Sequence, residues 1–217
     1  MGKNKNKSAY GLVAAVIFTT LLTILSPALY GLFESIPLRL LMFFSIQIIF
    51  AVFAVICHCV IENQPFRSLG FSGQKPLLQI VWAGALFAIV SILIIGLPAL
   101  FGQELKDMVP QRDNLLFAIP YKLIFVGFAE ELLFRGYFLN CIKRLTNSKI
   151  AAVVLSSLLF GLWHFILSED ILQVAVTTIM GVIFALPRMY KENCSVVSVS
   201  LAHGLYGALL NTLSWIV

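Results

Sequence analysis

The chain has 217 residues, of which 60% are hydrophobic and only 12% are charged. A mean hydropathy of +0.96 is far too apolar for a soluble domain of this length, so the composition indicates a protein that crosses a membrane several times. The formal net charge of +5 suits contact with anionic lipid, and nothing in its distribution indicates nucleic-acid binding.

Hydropathy divides the chain into seven apolar segments, each near the ~20 residues that a helix needs to cross the hydrocarbon layer. The connections between them carry the proline, glycine, asparagine and charged residues typical of loops. Because no repeat or low-complexity linker interrupts this pattern, we expect residues 1–217 to form a single all-α membrane domain, a polytopic bundle of about seven transmembrane helices. The predicted segments are 9–31, 38–61, 77–101, 114–142, 150–167, 171–189 and 195–217.

Basic residues in the connections predict the orientation of this bundle. With a cytoplasmic N-terminus, ten lysines and arginines lie in inside connections and three in outside connections. This asymmetry predicts a multi-pass protein of the cell membrane, with the N-terminus in the cytoplasm and Val217 outside. The inside set is Lys3, Lys5, Lys7, Arg67, Lys75, Lys143, Arg144, Lys149, Arg188 and Lys191, and the outside set is Arg39, Lys106 and Arg112.

The four cysteines lie near segment ends at the predicted cytoplasmic face, where thiols stay reduced, so we expect no disulfide. They are Cys57, Cys59, Cys141 and Cys194. His58, between Cys57 and Cys59, invites a metal-site interpretation. Adjacent residues on a helix point apart and lack chelate spacing, so we do not expect a metal there.

Charged side chains interrupt the fourth segment in the stretch from Phe128 to Gly136. A charge at the centre of a bilayer costs at least ~2.5 kcal/mol, so Glu130, Glu131 and Arg135 indicate a functional site. Glu131 and Arg135 are spaced i,i+4 and can pair on one face, whereas Glu130 is rotated by about 100° and is free to act elsewhere. The alternative is a purely structural salt bridge between helices, which leaves Glu130 without a role.

Two histidines on other segments fall at the same predicted depth as Glu130. Counted from a cytoplasmic basic residue of its own segment or flanking connection, Glu130 is 14 residues away, His164 is 15 and His203 is 12. At 1.5 Å per helical residue, all three lie roughly 18 to 22 Å from the cytoplasmic ends of their helices. Each histidine alone is as readily explained as a hydrogen-bonded core residue. Their common depth predicts a single site.

The polar residues of this predicted site favour hydrolysis over other chemistries. The sequence has no serine or cysteine nucleophile elbow, no cysteine pair with zinc spacing, no His-Glu-x-x-His helix and no phosphate loop. A glutamate and two histidines in a wet cavity suit a reaction in which Glu130 takes a proton from water as the water attacks a peptide carbonyl. A histidine would donate to the developing oxyanion.

Three motifs in chain order resemble the CPBP family of intramembrane proteases, which includes the CAAX prenyl endopeptidases and proteins of bacteriocin processing or immunity. The resemblance covers about residues 115–215, a catalytic core within the single domain. It implies that Glu130 and His164 hold and activate water and that His203 helps to form the oxyanion site, with Glu131 and Arg135 in support. The motifs are Glu130-Glu131-x-x-x-Arg135, Phe160-x-x-x-His164, and His203 in the last segment.

One position departs from the family pattern. An asparagine usually follows the oxyanion histidine by four residues, and this chain has Gly207 there. Asn211 lies about 12 Å from His203 along a helix axis, too far for both to bind one oxygen. We therefore expect His203 to act with a backbone N–H or with a water admitted by the space at Gly207. Asn211 is then a helix-packing or interfacial residue.

The resemblance also bears on metal, because the family is often classed as metalloprotease. Glu130, His164 and His203 match the two-histidine, one-glutamate ligand set of some catalytic zinc sites. A glutamate with a directly bound water fits the resemblance at least as well. Zinc at these three residues is therefore possible, but we expect that no cofactor is required.

The sequence thus predicts an intramembrane endopeptidase that cleaves a peptide or protein substrate at the membrane, for example in peptide, pheromone or bacteriocin processing. Its predicted partners are membrane lipid and this substrate, and the oligomeric state is open. One alternative is a non-catalytic bacteriocin-immunity or membrane scaffold protein with the same cavity. Another is a small transporter that uses Glu130 as a proton relay, for which repeats with broken helices would be expected and none is seen.

Overall fold

The chain is helical throughout the residues that the computed structural model describes, which are 2–71, 75–110 and 114–217. Side chains are described for these residues except 2–4 and Leu167. Arg112 of the predicted outside set, and the side chain of Lys3 of the predicted inside set, lie outside the described part. The three described ranges contain helices and turns but no β-strand, so the predicted all-α class is confirmed.

Seven long helices account for most of the described residues, and short 3₁₀ turns lie in two of the connections. Six predicted segments agree with these helices to within four residues at each end. The first helix begins seven residues before the predicted segment, because its polar start continues the helix while hydropathy detects only the apolar part. The helices are α1 (Gly2–Gly31), α2 (Ile36–Ile61), α3 (Pro76–Leu100), α4 (115–146), α5 (Lys149–Ser168), α6 (Ile171–Tyr190) and α7 (Val196–Leu213).

Six of these helices are long and apolar enough to cross a membrane. The exception is α4, which has the length but carries charges along its course, so the count of seven spans is not confirmed. A multi-pass membrane protein is nevertheless supported by the six. The interrupting residues of α4 are Lys122, Glu130, Glu131 and Arg135.

Helix α4 alternates between α-helical and π-helical turns. The π-helical turn Leu132–Phe138 follows the two glutamates directly, and all of its residues are buried. Such turns widen a helix locally and frequently occur at functional sites. The core of the bundle therefore surrounds the segment that carries Glu130, Glu131 and Arg135.

Tight turns with capped ends connect α4 to α5 and α5 to α6. Asn147 and Glu169 end their helices in the left-handed conformation, with φ of 56° and 52°. Ser148 and Asp170 then accept hydrogen bonds from backbone N–H groups of the next helix, which stabilises its first turn. These short connections make α4, α5 and α6 antiparallel neighbours, and α5 packs closely along α6.

Glycines let α7 cross α4 at very close range. A Cβ atom on Gly127 of α4 would lie only 2.6 Å from the carbonyl oxygen of Ser200, and one on Gly204 of α7 would lie 2.8 Å from the Cα atom of Leu123. No side chain fits between the two backbones at these points. The crossing places His203 of α7 beside the glutamates of α4.

The ends of three helices meet on one side of the bundle. Glu62, at the end of α2, is buried and pairs with Arg144 near the end of α4, and it also accepts a hydrogen bond from Ser8 near the start of α1. This arrangement agrees with an alternating path through the membrane; that this side is cytoplasmic stays a prediction. His58 lies at the same end, where its Nε2 bonds the hydroxyl of Ser68 at 2.7 Å rather than joining the candidate site.

Candidate active site

Helices α4, α5 and α7 bring the three predicted catalytic side chains together. The Oε2 atom of Glu130 lies 3.8 Å from Nε2 of His164 and 3.9 Å from Nε2 of His203. The three residues are up to 73 positions apart in the sequence, and the sequence predicted only that they lie at the same depth. In the structure they form one cluster.

Glu130 presents an oxygen that has no hydrogen-bond partner. The residue is 6% exposed, and its Oε2 atom is buried without a partner among the described residues. Buried carboxylate oxygens normally accept hydrogen bonds, because losing hydration without replacement is costly. A water molecule between Glu130 and the two imidazoles would satisfy this oxygen.

Glu131 connects the predicted ion pair to the site. Its Oε1 atom accepts a hydrogen bond from Nη1 of Arg135 at 3.0 Å, as the i,i+4 spacing predicts, and another from Nδ1 of His203 at 2.9 Å. Glu131 and Arg135 are both fully buried. The bond to His203 fixes the plane of its imidazole and aims its Nε2 atom at Glu130, a role for Glu131 that the sequence does not reveal.

Aromatic rings help to compensate the buried guanidinium of Arg135. Its Cζ atom lies 4.2 Å from the ring centroid of Phe160 and 5.7 Å from that of Phe184. A desolvated cation–π contact is worth about 2 kcal/mol. The Nε and Nη2 atoms have no hydrogen-bond partner among the described residues, so the rings and Glu131 are the main compensation for this charge.

The hydrogen bonds of the histidines decide which atoms face the cluster. Nδ1 of His164 lies 2.8 Å from the carbonyl oxygen of Phe160, which only accepts, so this nitrogen carries a hydrogen. Nδ1 of His203 carries one for the same reason, because its partner is the carboxylate of Glu131. In their neutral forms, both histidines therefore turn a lone pair on Nε2 toward Glu130. The three facing atoms are acceptors, and a water molecule can donate to two of them.

A cavity of about 400 Å³ opens beside the cluster, within the size range of small-ligand sites. Glu130 and His164 are in its wall, so a substrate in the cavity would meet the water that they can hold. Most of the polar lining comes from α1, α2, α4 and α5. The lining residues are Thr23, Ser26, Pro27, Tyr30, Phe43, Ile46, Gln47, Phe50, Tyr121, Lys122, Val126, Glu130, Trp163, His164, Ser168 and Gln173.

The space expected at Gly207 is filled by a side chain. A Cβ atom at this position would lie 3.2 Å from Cδ and 3.3 Å from Cβ of Lys122, so the methylene stem of the lysine packs against the glycine. The expectation of free space for water at Gly207 is therefore wrong. Asn211 is 1% exposed and donates from its amide nitrogen to the carbonyl oxygen of Gly207 at 3.0 Å, a bond within its own helix.

Sequence reasoning assigned no role to Gln47, Tyr121 or Lys122, which lie in the cavity wall. The amide nitrogen of Gln47 lies 3.3 Å from the hydroxyl oxygen of Tyr121, a contact between α2 and α4 that no sequence signal indicates. Lys122 did leave a signal, since it is a charged residue without an obvious partner inside an apolar segment.

The donor set of Glu130, His164 and His203 suits zinc chemically, but its spacing does not. Ligands of a tetrahedral zinc site with bonds of ~2.0–2.1 Å lie about 3.3 Å apart, whereas the separations from Glu130 are 3.8 and 3.9 Å. Within the described ranges, no three histidines, cysteines or carboxylates are arranged so that they could hold a metal ion. The arrangement fits a bound water better than a zinc ion, and the metal requirement stays a prediction.

The region of the chain that forms this site is similar to a known protein family. A family model described as "Type II CAAX prenyl endopeptidase Rce1-like" matches residues 112–209, which include Glu130, His164 and His203. No curated protein and no solved structure matches the chain. The family match confirms the resemblance inferred from the motifs: residues 112–209, which carry all three motifs, are similar to the Rce1-like, CPBP-type CAAX prenyl endopeptidases.

Proposed function

We propose that the protein is an intramembrane endopeptidase that cleaves a peptide or protein substrate with a water molecule activated by Glu130. One observation carries the proposal: the unpartnered Oε2 atom of Glu130 faces the Nε2 atoms of two histidines, and each histidine is held in place through its Nδ1 atom. The family match supports a CAAX-protease type of peptidase.

The site geometry suggests how the water is used. Water at the cluster would donate one hydrogen to Glu130 and the other to Nε2 of His164, leaving its oxygen free to attack a carbonyl carbon. As the new C–O bond forms, Glu130 takes the proton, and it returns this proton to the leaving amine when the C–N bond breaks. His203, after its Nε2 takes a proton from water in the cavity, would donate to the carbonyl oxygen while its Nδ1–H remains bonded to Glu131.

The second candidate is a non-catalytic immunity or scaffold protein that binds a bacteriocin or membrane partner in the same cavity. The observation in its favour is Gly207, which removes the amide donor that family members usually have near the oxyanion. Binding of a peptide without cleavage would support this candidate. A proton-coupled transporter finds no comparable support in the arrangement of the site.

Replacing Glu130 with glutamine tests the proposal. The purified protein in lipid nanodiscs is incubated with peptides encoded by neighbouring genes, and products are identified by mass spectrometry. Glu130→Gln keeps the shape of the side chain and removes the proton acceptor, so cleavage should fall by at least ~10²-fold. Glu104→Gln, at an exposed glutamate paired with Lys106, is the matched control and should retain activity.

The outcomes separate the candidates. Full activity of Glu130→Gln, with helix content and melting temperature like the wild type, would refute the glutamate mechanism. A wild-type protein that binds these peptides and leaves them intact would favour the immunity or scaffold function. Elemental analysis of active protein, followed by treatment with a chelator, tests the expectation that no metal is required.

A further inference from the structure

Lys122 is a basic residue within the largely apolar helix α4. Among the described residues that line the cavity it is the one lysine or arginine. Among the described residues, no hydrogen bond or ion pair involves its ammonium group. A charged side chain within an apolar helix of a membrane protein is energetically costly, and such residues usually serve a function with an identifiable partner.

The position of Lys122 relative to His203 depends on Gly207. Gly207 lies one helical turn after His203, and the stem of Lys122 packs against it at 3.2 to 3.4 Å from the position that a Cβ atom would take. An asparagine at 207 would occupy the volume of this stem. Glycine in place of asparagine at position 207 therefore removes the usual amide donor and also leaves room for the stem of Lys122.

The chemistry of the site needs a hydrogen-bond donor for the carbonyl oxygen of the substrate. Glu130 and the Nε2 atoms of neutral His164 and His203 are all acceptors, so none of them can donate to a carbonyl oxygen as it becomes negative. His203 can do so only after gaining a second proton. Lys122 already carries three N–H donors and a positive charge, and it shares the cavity wall with Glu130.

We propose that Lys122 is a catalytic residue that donates a hydrogen bond to the oxyanion of the tetrahedral intermediate, beside His203 and in place of the missing amide at 207. This inference rests on the proposed endopeptidase function. During attack, the C=O π electrons move onto the carbonyl oxygen while Glu130 receives the proton of water. Lys122 keeps all of its protons, stabilises the negative oxygen and releases it when the C–N bond breaks.

Lys122→Met tests this role, because methionine keeps an unbranched stem for packing against Gly207 and removes the charge. The substrate is a peptide that the wild type cleaves, and the ligand is its phosphinate analogue, whose anionic tetrahedral phosphorus replaces the scissile bond. The variant should lose ~10²-fold or more in kcat with little change in KM. Its affinity for the phosphinate should fall by a similar factor, and its affinity for uncleaved peptide, measured in the Glu130→Gln background, should not change.

Three further variants make the test specific. Lys122→Arg keeps the charge and should retain more activity than Lys122→Met. Lys106→Met removes an exposed lysine and should behave like the wild type. Tyr121→Phe removes the neighbouring neutral donor in the cavity and should cost less than Lys122→Met.

Several results would overturn the proposal. One is wild-type kcat or wild-type phosphinate affinity in Lys122→Met; another is a larger loss in Tyr121→Phe. A loss confined to peptides with a free carboxyl terminus, absent for their amidated forms, would show that Lys122 binds a substrate carboxylate instead. If the wild type cleaves no peptide, the endopeptidase function itself fails and this inference fails with it, an outcome distinct from cleavage that does not depend on Lys122.

Discussion

Replacing Arg135 with alanine should destabilise the whole protein as well as its site. Removing one partner of a buried ion pair costs ~3–5 kcal/mol, because the remaining charge stays buried without compensation. Glu131 and Arg135 are both fully buried, and the variant also loses the contact with Phe160 at 4.2 Å. We therefore expect a loss of about 5 kcal/mol, the upper end of that range. This is a large fraction of the ~5–15 kcal/mol by which proteins are usually stable.

The measurement is reversible denaturation in detergent, with helix content followed by circular dichroism and activity measured in parallel. Lys106→Ala is the matched control. It breaks an ion pair with Glu104 whose side chains are 63% and 65% exposed. An exposed pair contributes at most about 1 kcal/mol, so this control should unfold almost like the wild type.

A double variant separates stability from function. Arg135→Met combined with Glu131→Gln leaves neither charge buried, so it should recover most of the stability lost in Arg135→Ala. It should remain impaired in cleavage, because His203 loses the carboxylate that holds its Nδ1–H. The reasoning is refuted if Arg135→Ala unfolds within about 1 kcal/mol of the wild type, or if the double variant is less stable than Arg135→Ala.

Three further predictions concern α7. His203→Ala should reduce the cleavage rate by ~10²-fold or more, whereas Asn211→Ala should cost less than about tenfold, since the Asn211 amide bonds its own helix; equal losses in a steady-state assay would contradict the site geometry. Gly204→Ala should lower both melting temperature and activity, because its Cβ atom would lie 2.8 Å from the α4 backbone, and unchanged values would show that the crossing is looser than described. With the N-terminus inside and seven spans, a phosphatase fused after Val217 should be active and a cytoplasmic fluorescent reporter dark; the reverse would indicate an even number of spans.

Local properties of the chain were predictable from the sequence. The helices follow from runs of apolar residues, because burial in lipid requires a helix that satisfies its own backbone. The pair between Glu131 and Arg135 follows from i,i+4 spacing on one helix, which holds wherever that helix lies. The common depth of Glu130, His164 and His203 follows from helix rise alone. Helix α4 is long enough to be a seventh span. It is not counted as one, because the charged site residues interrupt its apolar character.

The contacts between helices were decided by the tertiary structure alone. These contacts depend on how far each helix is rotated about its axis and on where it crosses its neighbours. They include the approach of Glu130 to His164 and His203, the hydrogen bond from His203 to Glu131, and the packing of Lys122 against Gly207. Hydropathy gives the depth of a residue but not this rotation. The rotation of α7 against α4 is set by packing that no local spacing encodes, above all the contact of their backbones at Gly127 and Gly204.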